Sequence, residues 1–329
     1  MKLKILVIRF SSIGDIVLTT PVLRCLTRQI NADVHFLTKK KFAAVLNFNP
    51  YISKIHTIEK NVREVLPSLK KERFSYIIDL HHNLRSLLLK AGMLSVPSRS
   101  FNKLNFEKWL MVRFKINRLP ERHIVDRYLD TVGFLGVKND GEGLDFFINP
   151  TESFVKPFPK YLAFVVGAGY STKALTVSQS VNLLAQIKIP VVLLGGSKEV
   201  AKASLILDQF NRGDSKNQPI LNRVGQCTLA QSAGYIREAS VVLTGDTGLM
   251  HIAAAFKKPI ISIWGNTIPE FGMYPYYPKE LDLNTSFEKK DLSCRPCSKI
   301  GFNKCPQDHF NCIKSIDIRK ISISLAKSI

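Results

Sequence analysis

Buried-type strands alternate with helical patterns along most of this chain. Eight short apolar runs rich in β-branched residues predict strands: KILVI (4–8), DVHFL (33–37), SKIHTI (53–58), YIIDL (76–80), YLAFVV (161–166), PVVLL (190–194), SVVLT (240–244) and PIISIW (259–264). Helical periodicity lies between many of them, at 21–30, 177–187, 229–239 and 248–256. Continuous apolar strands that alternate with helices are typical of a mostly parallel sheet covered on both faces. The pattern therefore predicts an α/β protein.

One segment breaks this rhythm. INPTESFVKPFPK (148–160) contains three prolines and no helical period, and the strand–turn–helix pattern starts afresh after it. We therefore predict two open α/β domains, residues 1–154 and 155–329, with a cleft between them. Ligands of open α/β sheets bind beyond the carboxyl ends of the strands. The turns at those ends are where the chemistry is expected.

Length and composition narrow the class of protein. The chain has 329 residues, of which 45% are hydrophobic, which is enough for a substantial core. No run approaches the roughly 18 apolar residues that a membrane span needs. The first apolar run meets Arg9 and a turn at once, unlike a signal peptide. The six cysteines fit a reducing compartment, so we expect a cytosolic protein.

The positive charge points to an anionic partner. Lys and Arg number 47 against 26 Asp and Glu, a balance of +21 that suits nucleic acid, a membrane surface or a phosphorylated substrate. Residues 84–127 hold ten Lys or Arg and three acids, interleaved with leucines and aromatic residues. Such a segment is typical of membrane-surface binding. A solvated helical face over an ordinary buried stripe explains it equally well.

The first strand ends in a polar turn, SSIGD (11–15). Gly14 permits a tight backbone path there. Asp15 has two interpretations: a helix cap that accepts hydrogen bonds from backbone N–H groups, or a catalytic base at the mouth of a cleft. The residues alone favour the cap, because Asp is among the commonest capping residues.

Two turns of the second half contain glycines and a charged residue. In VVGAGYSTKALT (165–176), Lys173 follows a Gly-Ala-Gly turn, and a flexible ammonium there suits a phosphate; an exposed lysine is the plain alternative. Thr172 stands where a G-x-G-x-x-G dinucleotide motif needs glycine. In LLGGSKE (193–199), the double glycine permits close approach of a ligand. Glu199 could accept hydrogen bonds from ribose hydroxyls or simply begin a helix. The candidates in that turn are Gly195, Gly196 and Glu199.

A third turn, in TGDTGLMHIAAAF (244–256), combines a strand end with a helix start. Asp246 or Thr247 caps the helix, and Gly248 opens it. The free N–H groups and the positive end of the helix dipole form an anion site that suits a diphosphate. His251 falls off the apolar face of the predicted helix, near its N-terminal end. An ordinary, well-capped connection is the alternative.

Four cysteines cluster near the C-terminus, at positions 294, 297, 305 and 312, with His309 close by. Only the first pair has the C-x-x-C spacing of a zinc knuckle, where a zinc site normally needs two such pairs. We therefore favour reduced thiols that pack a loop and predict no metal ligands.

Several of these motifs together resemble glycosyltransferase family 9, the heptosyltransferases of the lipopolysaccharide inner core. They are RFSSIGDIVLTTP (9–21) and DTGLMHIAAAFKKPIISIWG (246–265), and the Cys-rich tail resembles the family's C-terminal Cys-Pro pattern. The similarity in order and spacing extends from Arg9 to Cys312. After Lys173 the chain departs from the family, with Ala-Leu-Thr where an aromatic residue and a proline often stand.

The resemblance implies a glycosyltransferase-B fold: two Rossmann-like domains that face each other across a cleft, with the acceptor bound by the first and the nucleotide sugar by the second. It implies an inverting, metal-independent reaction without a cofactor. Asp15 would be the general base, and Lys173 would contact the donor phosphate. The ribose and diphosphate would meet Asp246, Thr247 and Gly248, with His251 beside them. We add Gly195, Gly196 and Glu199 as donor contacts, and Ser11, Ser12, Gly14 and Arg85 as acceptor contacts.

The expected reaction is transfer of heptose from ADP-heptose to an anionic, lipid-linked saccharide of the Kdo–lipid A type. We expect the enzyme to act on the cytosolic face of the inner membrane, as a peripheral protein with no nucleic-acid partner. A transferase for another nucleotide sugar is the nearest alternative. A nucleic-acid-binding protein would fit the charge, but no helix-turn-helix or RNA-recognition motif is present. A nicotinamide oxidoreductase would need the missing glycine motif.

Overall fold

The computed structural model describes residues 2–149, 154–213 and 218–328, and the chain divides into two compact units. The first comprises Met1–Leu104 and Arg122–Pro150, and the second comprises Asn105–Glu121 and Thr151–Ile329. The segment Asn105–Glu121 thus groups by its contacts with the second unit, although two contiguous domains would place it in the first. Residues 150–153 of the predicted linker lie outside the described part of the chain.

The first unit is built on a parallel sheet with the strand order β3-β2-β1-β4-β5. Its strands are β1 (Lys4–Ile8), β2 (Asp33–Lys39), β3 (Lys54–Ile58), β4 (Tyr76–Asp79) and β5 (Ser98–Ser100). The helices in this stretch of chain are α1 (Ile13–Val17), α2 (Thr20–Ile30), α3 (Leu66–Lys71), α4 (Leu84–Ala91), α5 (Asn105–Phe114) and α6 (Ile124–Leu129). Of these, α5 belongs to the second unit.

The second unit contains a parallel sheet with the order β11-β10-β9-β6-β7-β8. Its strands are β6 (Leu162–Val165), β7 (Val191–Leu194), β8 (Ile220–Asn222), β9 (Val241–Gly245), β10 (Ile260–Trp264) and β11 (Asn284–Glu288). Its further helices are α7 (Val177–Gln186), α8 (Val200–Arg212), α9 (Leu229–Glu238), α10 (Gly248–Ala255), α11 (Asn311–Lys314) and α12 (Ile318–Lys327). Within the described ranges, none of the helices is long and apolar enough to cross a bilayer.

Both sheets confirm the predicted α/β class, and all eight apolar runs form strands. Every residue of β6, β7, β9 and β10 is buried, as expected for parallel strands covered on both faces. Polar residues start the helices: Thr176 begins α7 and Thr228 begins α9, each paired with a glutamine three residues on.

The strand order of each sheet reverses at one place, between β1 and β4 in the first unit and between β6 and β9 in the second. The crevice beyond the carboxyl ends of the strands at such a reversal is where open α/β sheets bind ligands. The turn with Asp15 follows β1, the turn with Lys173 follows β6, and the Gly-Asp-Thr-Gly turn follows β9. The fold therefore places these three turns at the two switch points.

A buried salt-bridge network fastens α2 to the end of the first unit. The Arg24 side chain is almost fully buried, and its guanidinium donates to Asp140, at 2.7 and 2.8 Å, and to Asp145. It also donates to the carbonyl oxygen of Gly143, at 2.8 Å. Burial alone would lower the pKa of Arg24, but the two carboxylates more than offset it and raise that pKa. The network holds residues 140–145 against helix α2, the helix that contains Arg24.

Two buried histidines lie side by side in the first sheet. The Nδ1 atom of His35 lies 3.0 Å from Nε2 of His56. Burial, together with the neighbouring His35, lowers the pKa of His56 to about 4 from an ordinary value of 6.5. Both imidazoles are 4–5% exposed, and burial lowers the pKa of His35 as well.

We expect acid to weaken the first unit through this pair. Below about pH 6.5, His56 is protonated in the unfolded chain, but in the folded chain it stays neutral until about pH 4. Because the unfolded chain binds more protons between these values, the free energy of unfolding falls as the pH falls from about 6.5 to about 4. The loss between pH 7 and pH 5 is about 2 kcal/mol for His56. Denaturant unfolding at both pH values measures it, and His56→Gln should show a smaller difference. An equal pH dependence in wild type and variant would contradict the assignment.

Candidate active site

Asp15 lies in the first turn of α1, where it acts as a cap. Its Oδ2 atom accepts hydrogen bonds from the Ser12 backbone N–H at 3.0 Å and from the Ser12 hydroxyl at 2.7 Å. Its Oδ1 atom lies 2.5 Å from Nη2 of Arg9, and the Asp15 side chain is 19% exposed. The capping interpretation is therefore confirmed. The catalytic role of Asp15 stays a prediction.

Arg9 is the buried cation behind Asp15. Its guanidinium donates to the carbonyl oxygens of Ser11, at 2.9 Å, and Leu80, at 2.5 Å, and lies 5.8 Å from the centre of the Tyr128 ring. Burial lowers the pKa of Arg9, but the fields of Asp15, Tyr128 and Asp79 outweigh burial and raise it. A permanent positive charge is thus fixed against the Asp15 carboxylate.

The surroundings of this turn are basic. Arg85, in the first turn of α4, lies over the Phe10 ring at 5.6 Å. Burial lowers the pKa of Lys39, at the end of β2, and the positive charges of Arg85 and Lys41 lower it further. Next to Lys39, a cavity of about 460 Å³ is lined by three consecutive lysines, Ile58 and Glu59. This edge of the first sheet is therefore an electrostatic environment for an anion.

In the second unit, Lys173 and Asp246 form an ion pair across two neighbouring strand ends. Lys173 Nζ lies 2.6 Å from Asp246 Oδ2, and both side chains are 13–14% exposed. The Thr267 hydroxyl, after β10, donates to the same oxygen at 3.1 Å. Three turns, after β6, β9 and β10, thus meet at one carboxylate.

Glycines allow this convergence. A Cβ atom on Gly245 would lie 2.0 Å from the carbonyl oxygen of Lys173, and one on Gly265 would lie 2.0 Å from that of Thr172. Any side chain at either glycine would push the Lys173 turn off the ends of β9 and β10. The two glycines are therefore required for the position of Lys173.

Helix α10 points its N-terminus into the same region. Thr247 is the N-cap, and its hydroxyl accepts a hydrogen bond from the Met250 N–H at 3.3 Å. The N–H groups of Gly248 and Leu249 have no partner within the helix and can bind an anion. His251 lies one turn into this helix and is buried.

The third predicted donor turn packs against the first. The side chain of Glu199 lies over Gly167, where a Cβ atom would approach it to 1.9 Å. Its Oε2 atom accepts a hydrogen bond from the Gly196 N–H at 2.8 Å, so Glu199 caps its own turn. Gly195 and Gly196 are at the carboxyl end of β7, where predicted. A role of Glu199 toward ribose stays a prediction.

Sequence reasoning missed three polar contributors. Arg9 directly follows buried strand β1, and Thr267 lies three residues after the end of buried strand β10. A polar residue just beyond a buried strand is the signal that could have identified them. Thr172 fastens the Lys173 turn: its hydroxyl donates to the Phe302 carbonyl oxygen and accepts from the Phe302 N–H, both at 2.9 Å. Its partner lies 130 residues away, so no local pattern announces this contact.

The cysteine segment supports the donor turn from outside. All six cysteines are free, and Sγ of Cys294 lies 3.7 Å from Nε2 of His309. Buried Arg295 donates to the carbonyl oxygens of Gly265, at 2.6 Å, and Thr267, at 2.9 Å. In the described chain, His35, His56 and Glu72 place three potential metal-ligand atoms within 4.8 Å of one another. Burial and the fields of Cys297, Cys305 and Cys294 raise the pKa of Cys312, so the four thiols of the segment lie near one another. That they hold no metal stays a prediction.

One unit carries a paired carboxylate at its switch point, and the other carries an ammonium and free helix N–H groups at its own. Two Rossmann-like sheets with such sites define the class of glycosyltransferases with the glycosyltransferase-B fold. A sequence profile described as glycosyltransferase family 9 (heptosyltransferase) matches residues 62–300, and the chain belongs to this family. Curated relatives are named lipopolysaccharide or lipooligosaccharide heptosyltransferases, which agrees with the family that the motifs resemble.

Two curated relatives are similar over most of their length. Lipooligosaccharide heptosyltransferase 2 of Campylobacter jejuni is 23% identical, over 96% of this chain and 95% of its own. Lipopolysaccharide heptosyltransferase 3 of Escherichia coli K12 is 24% identical, over 87% of this chain and 93% of its own.

Solved structures confirm the fold. The ADP-heptose lipopolysaccharide heptosyltransferase II of Escherichia coli superposes with a TM-score of 0.73 at 17% identity, over 99% of this chain and 98% of its own. A second Escherichia coli heptosyltransferase, solved with ADP, gives a TM-score of 0.68 at 18% identity, over 99% of this chain and all of its own.

Proposed function

We propose that this enzyme transfers heptose from ADP-heptose to an anionic, lipid-linked saccharide of the lipopolysaccharide inner core, with inversion at the anomeric carbon. The observation that carries the proposal is the Lys173–Asp246–Thr267 cluster beside the N-terminus of α10. It offers a cation and backbone N–H groups to a diphosphate, which is the leaving group of such a donor.

Asp15 supplies the other half of the chemistry. In an inverting transfer, a base removes the proton from the attacking hydroxyl on one face of the sugar while the leaving group departs from the other. Asp15 accepts that proton, and the acceptor hydroxyl bonds to the anomeric carbon as the bond to ADP breaks. Ser11, Ser12 and Gly14 shape the turn that holds Asp15, and Ser12 fixes its orientation through two hydrogen bonds.

The departing ADP is stabilised by protein groups. Its new negative charge meets the Lys173 ammonium and the N–H groups of Gly248 and Leu249. Asp246 orients that ammonium. We propose that Asp246, Glu199 and the backbone of Gly195 and Gly196 contact the ribose. His251, buried in α10, backs this site. We propose that no metal or other cofactor takes part.

The acceptor half of the proposal rests on charge. Arg85, Lys39 and the lysine-lined cavity provide a positive edge for the carboxylates and phosphates of a Kdo–lipid A type acceptor. Such an acceptor lies in a membrane, so we propose a peripheral enzyme on the cytosolic face of the inner membrane. The charge of +21 suits that anionic surface.

A donor panel tests the proposal. Purified enzyme is given ADP-heptose, ADP-glucose and UDP-sugars with an acceptor of the Kdo–lipid A type, and the products are followed by mass spectrometry. We expect transfer from ADP-heptose at a kcat/KM well above that of every other donor. If the enzyme prefers another nucleotide sugar, the proposal that ADP-heptose is the donor is refuted. The assignments of the fold and of Asp15 as the base are unaffected.

A further inference from the structure

Helix α4 turns an apolar stripe toward solvent. Leu84, Leu87 and Leu88 are 73%, 48% and 56% exposed, and Leu94, just beyond the helix, is 86% exposed. These four residues form what we call the leucine face. The spacing is that of the stripe a surface helix normally buries against its core. Core contact is made instead by the opposite side of the helix, through buried Leu89.

Basic side chains lie at both ends of the leucine face. At the far end, Lys70 and Arg73 line a cavity of about 740 Å³ together with Leu94. At the near end, Arg85 follows Leu84 directly. Lys90 does not contribute, because its ammonium is 3.1 Å from the buried carboxylate of Asp79. An apolar stripe with free cations at its ends is the pattern of an interfacial helix on an anionic bilayer.

The leucine face begins beside the proposed acceptor site. Helix α4 follows the carboxyl end of β4, and Arg85 covers the ring of Phe10, which leads into the Asp15 turn. From Leu84 to Ala91 the helix extends about 10 Å at helical rise, and Leu94 lies three residues further along the chain. A lipid-linked acceptor could thus present its saccharide to Asp15 while its bilayer contacts this helix.

We propose that the leucine face docks on an anionic lipid bilayer and so holds the Asp15 turn at the membrane surface. This inference rests on the proposed function, because it assumes an acceptor embedded in a membrane. A bilayer is a better occupant than a second copy of the chain. In a dimer, the leucine faces of two copies would bring Lys70, Arg73 and Arg85 of each copy together, and these like charges repel each other. Acidic lipid headgroups attract the same residues.

The test uses the full chain and vesicles of phosphatidylcholine with or without phosphatidylglycerol. We expect wild type to cosediment with the anionic vesicles, less so as salt rises, and weakly with neutral ones. The double variant Leu87→Gln/Leu88→Gln should lose about tenfold or more of this binding, since polar side chains no longer enter the apolar layer. Leu205→Gln/Ile323→Gln is the matched control, with residues 51% and 50% exposed in the second unit, and should bind as wild type does.

Activity on two acceptors separates this inference from the proposed function. The double variant should transfer heptose poorly to acceptor embedded in vesicles and normally to a deacylated, water-soluble acceptor. The docking inference is overturned if the wild-type protein does not bind the anionic vesicles. It is also overturned if the double variant binds them as well as the wild type does. So does a dimer in light scattering that the double variant converts to monomers without loss of vesicle binding. If the double variant loses vesicle binding and the wild-type enzyme transfers heptose to neither acceptor, the leucine face is supported as a membrane-binding face. The proposed substrate is then refuted.

Discussion

Asp15→Asn should lower turnover by about 10²- to 10⁴-fold while the protein remains folded and binds donor normally. The amide occupies the same space as the carboxylate, and its oxygen can still accept the two hydrogen bonds from Ser12. It has no basicity with which to take a proton from the acceptor hydroxyl. The loss of activity should therefore appear in kcat, with the Kd for ADP close to that of wild type. The midpoint of thermal unfolding should fall, because the neutral amide no longer pairs with the buried Arg9 guanidinium.

Asp15 also caps a helix and pairs with Arg9, so a structural effect has to be separated from a chemical one. Ser12→Ala removes the hydroxyl that donates to Asp15 at 2.7 Å but keeps the base. We expect that variant to retain most of its turnover, with a stability loss of about 1 kcal/mol. Asp15→Asn with the turnover of wild type would leave Asp15 only its capping role and would remove it from the mechanism.

The sequence predicts every interior strand of both sheets and the edge strand β3, and it misses the other three edge strands. Strands β1, β2, β4, β6, β7, β9 and β10 are buried apolar runs, so hydrophobicity alone reveals them. Strand β5 reads Ser-Arg-Ser and β11 reads Asn-Thr-Ser-Phe-Glu, and each is the outermost strand of its sheet. Edge strands are partly solvated and held by one neighbour, so backbone pairing rather than an apolar run defines them. Strand β8 has the same position and only three residues.

The helices show a second limit of pattern reading. Helix α4 has apolar residues on both sides, and only the packing of the first unit shows that Leu89 is inside while Leu87 and Leu88 are outside. Helix α5 contributes no buried residue, yet its segment, Asn105–Glu121, groups with the second unit. Lys115, directly after the helix, donates from Nζ to the carbonyl oxygen of Pro296 at 2.8 Å. That contact joins residues 181 positions apart, and no local pattern encodes it.

For the candidate site, the sequence identifies polar residues that lie in a turn directly after a strand. Lys173 and Asp246 were identified separately, each as the polar residue of a glycine-containing turn after a buried strand. Their pairing at 2.6 Å follows from the parallel sheet, in which β6 and β9 are neighbours. The support by Thr172 and Arg295 could not be predicted, because both act through backbone groups of distant segments.

Lys173→Met should lower kcat/KM for ADP-heptose by about 10²- to 10³-fold, because the departing diphosphate loses the cation nearest to it. The methionine keeps most of the side-chain volume, so the turn between Gly245 and Gly265 should keep its path. Affinity for ADP, measured by calorimetry, should fall as well. Lys188→Met is the control, since Lys188 is an exposed lysine before the start of β7, at the opposite edge of the sheet, and should leave both values unchanged.

The ion pair makes a sharper version of this test available. Without Lys173, the Asp246 carboxylate keeps only the Thr267 hydroxyl among its observed side-chain partners and repels the incoming diphosphate. Lys173→Met/Asp246→Asn removes that repulsion together with the cation, so the double variant should lose less than the product of the two single losses. Such coupling is expected for residues in direct contact. If the losses in kcat/KM of the two single variants multiply in the double variant, or if Lys173→Met binds ADP as tightly as wild type does, this ion pair does not act on the donor diphosphate.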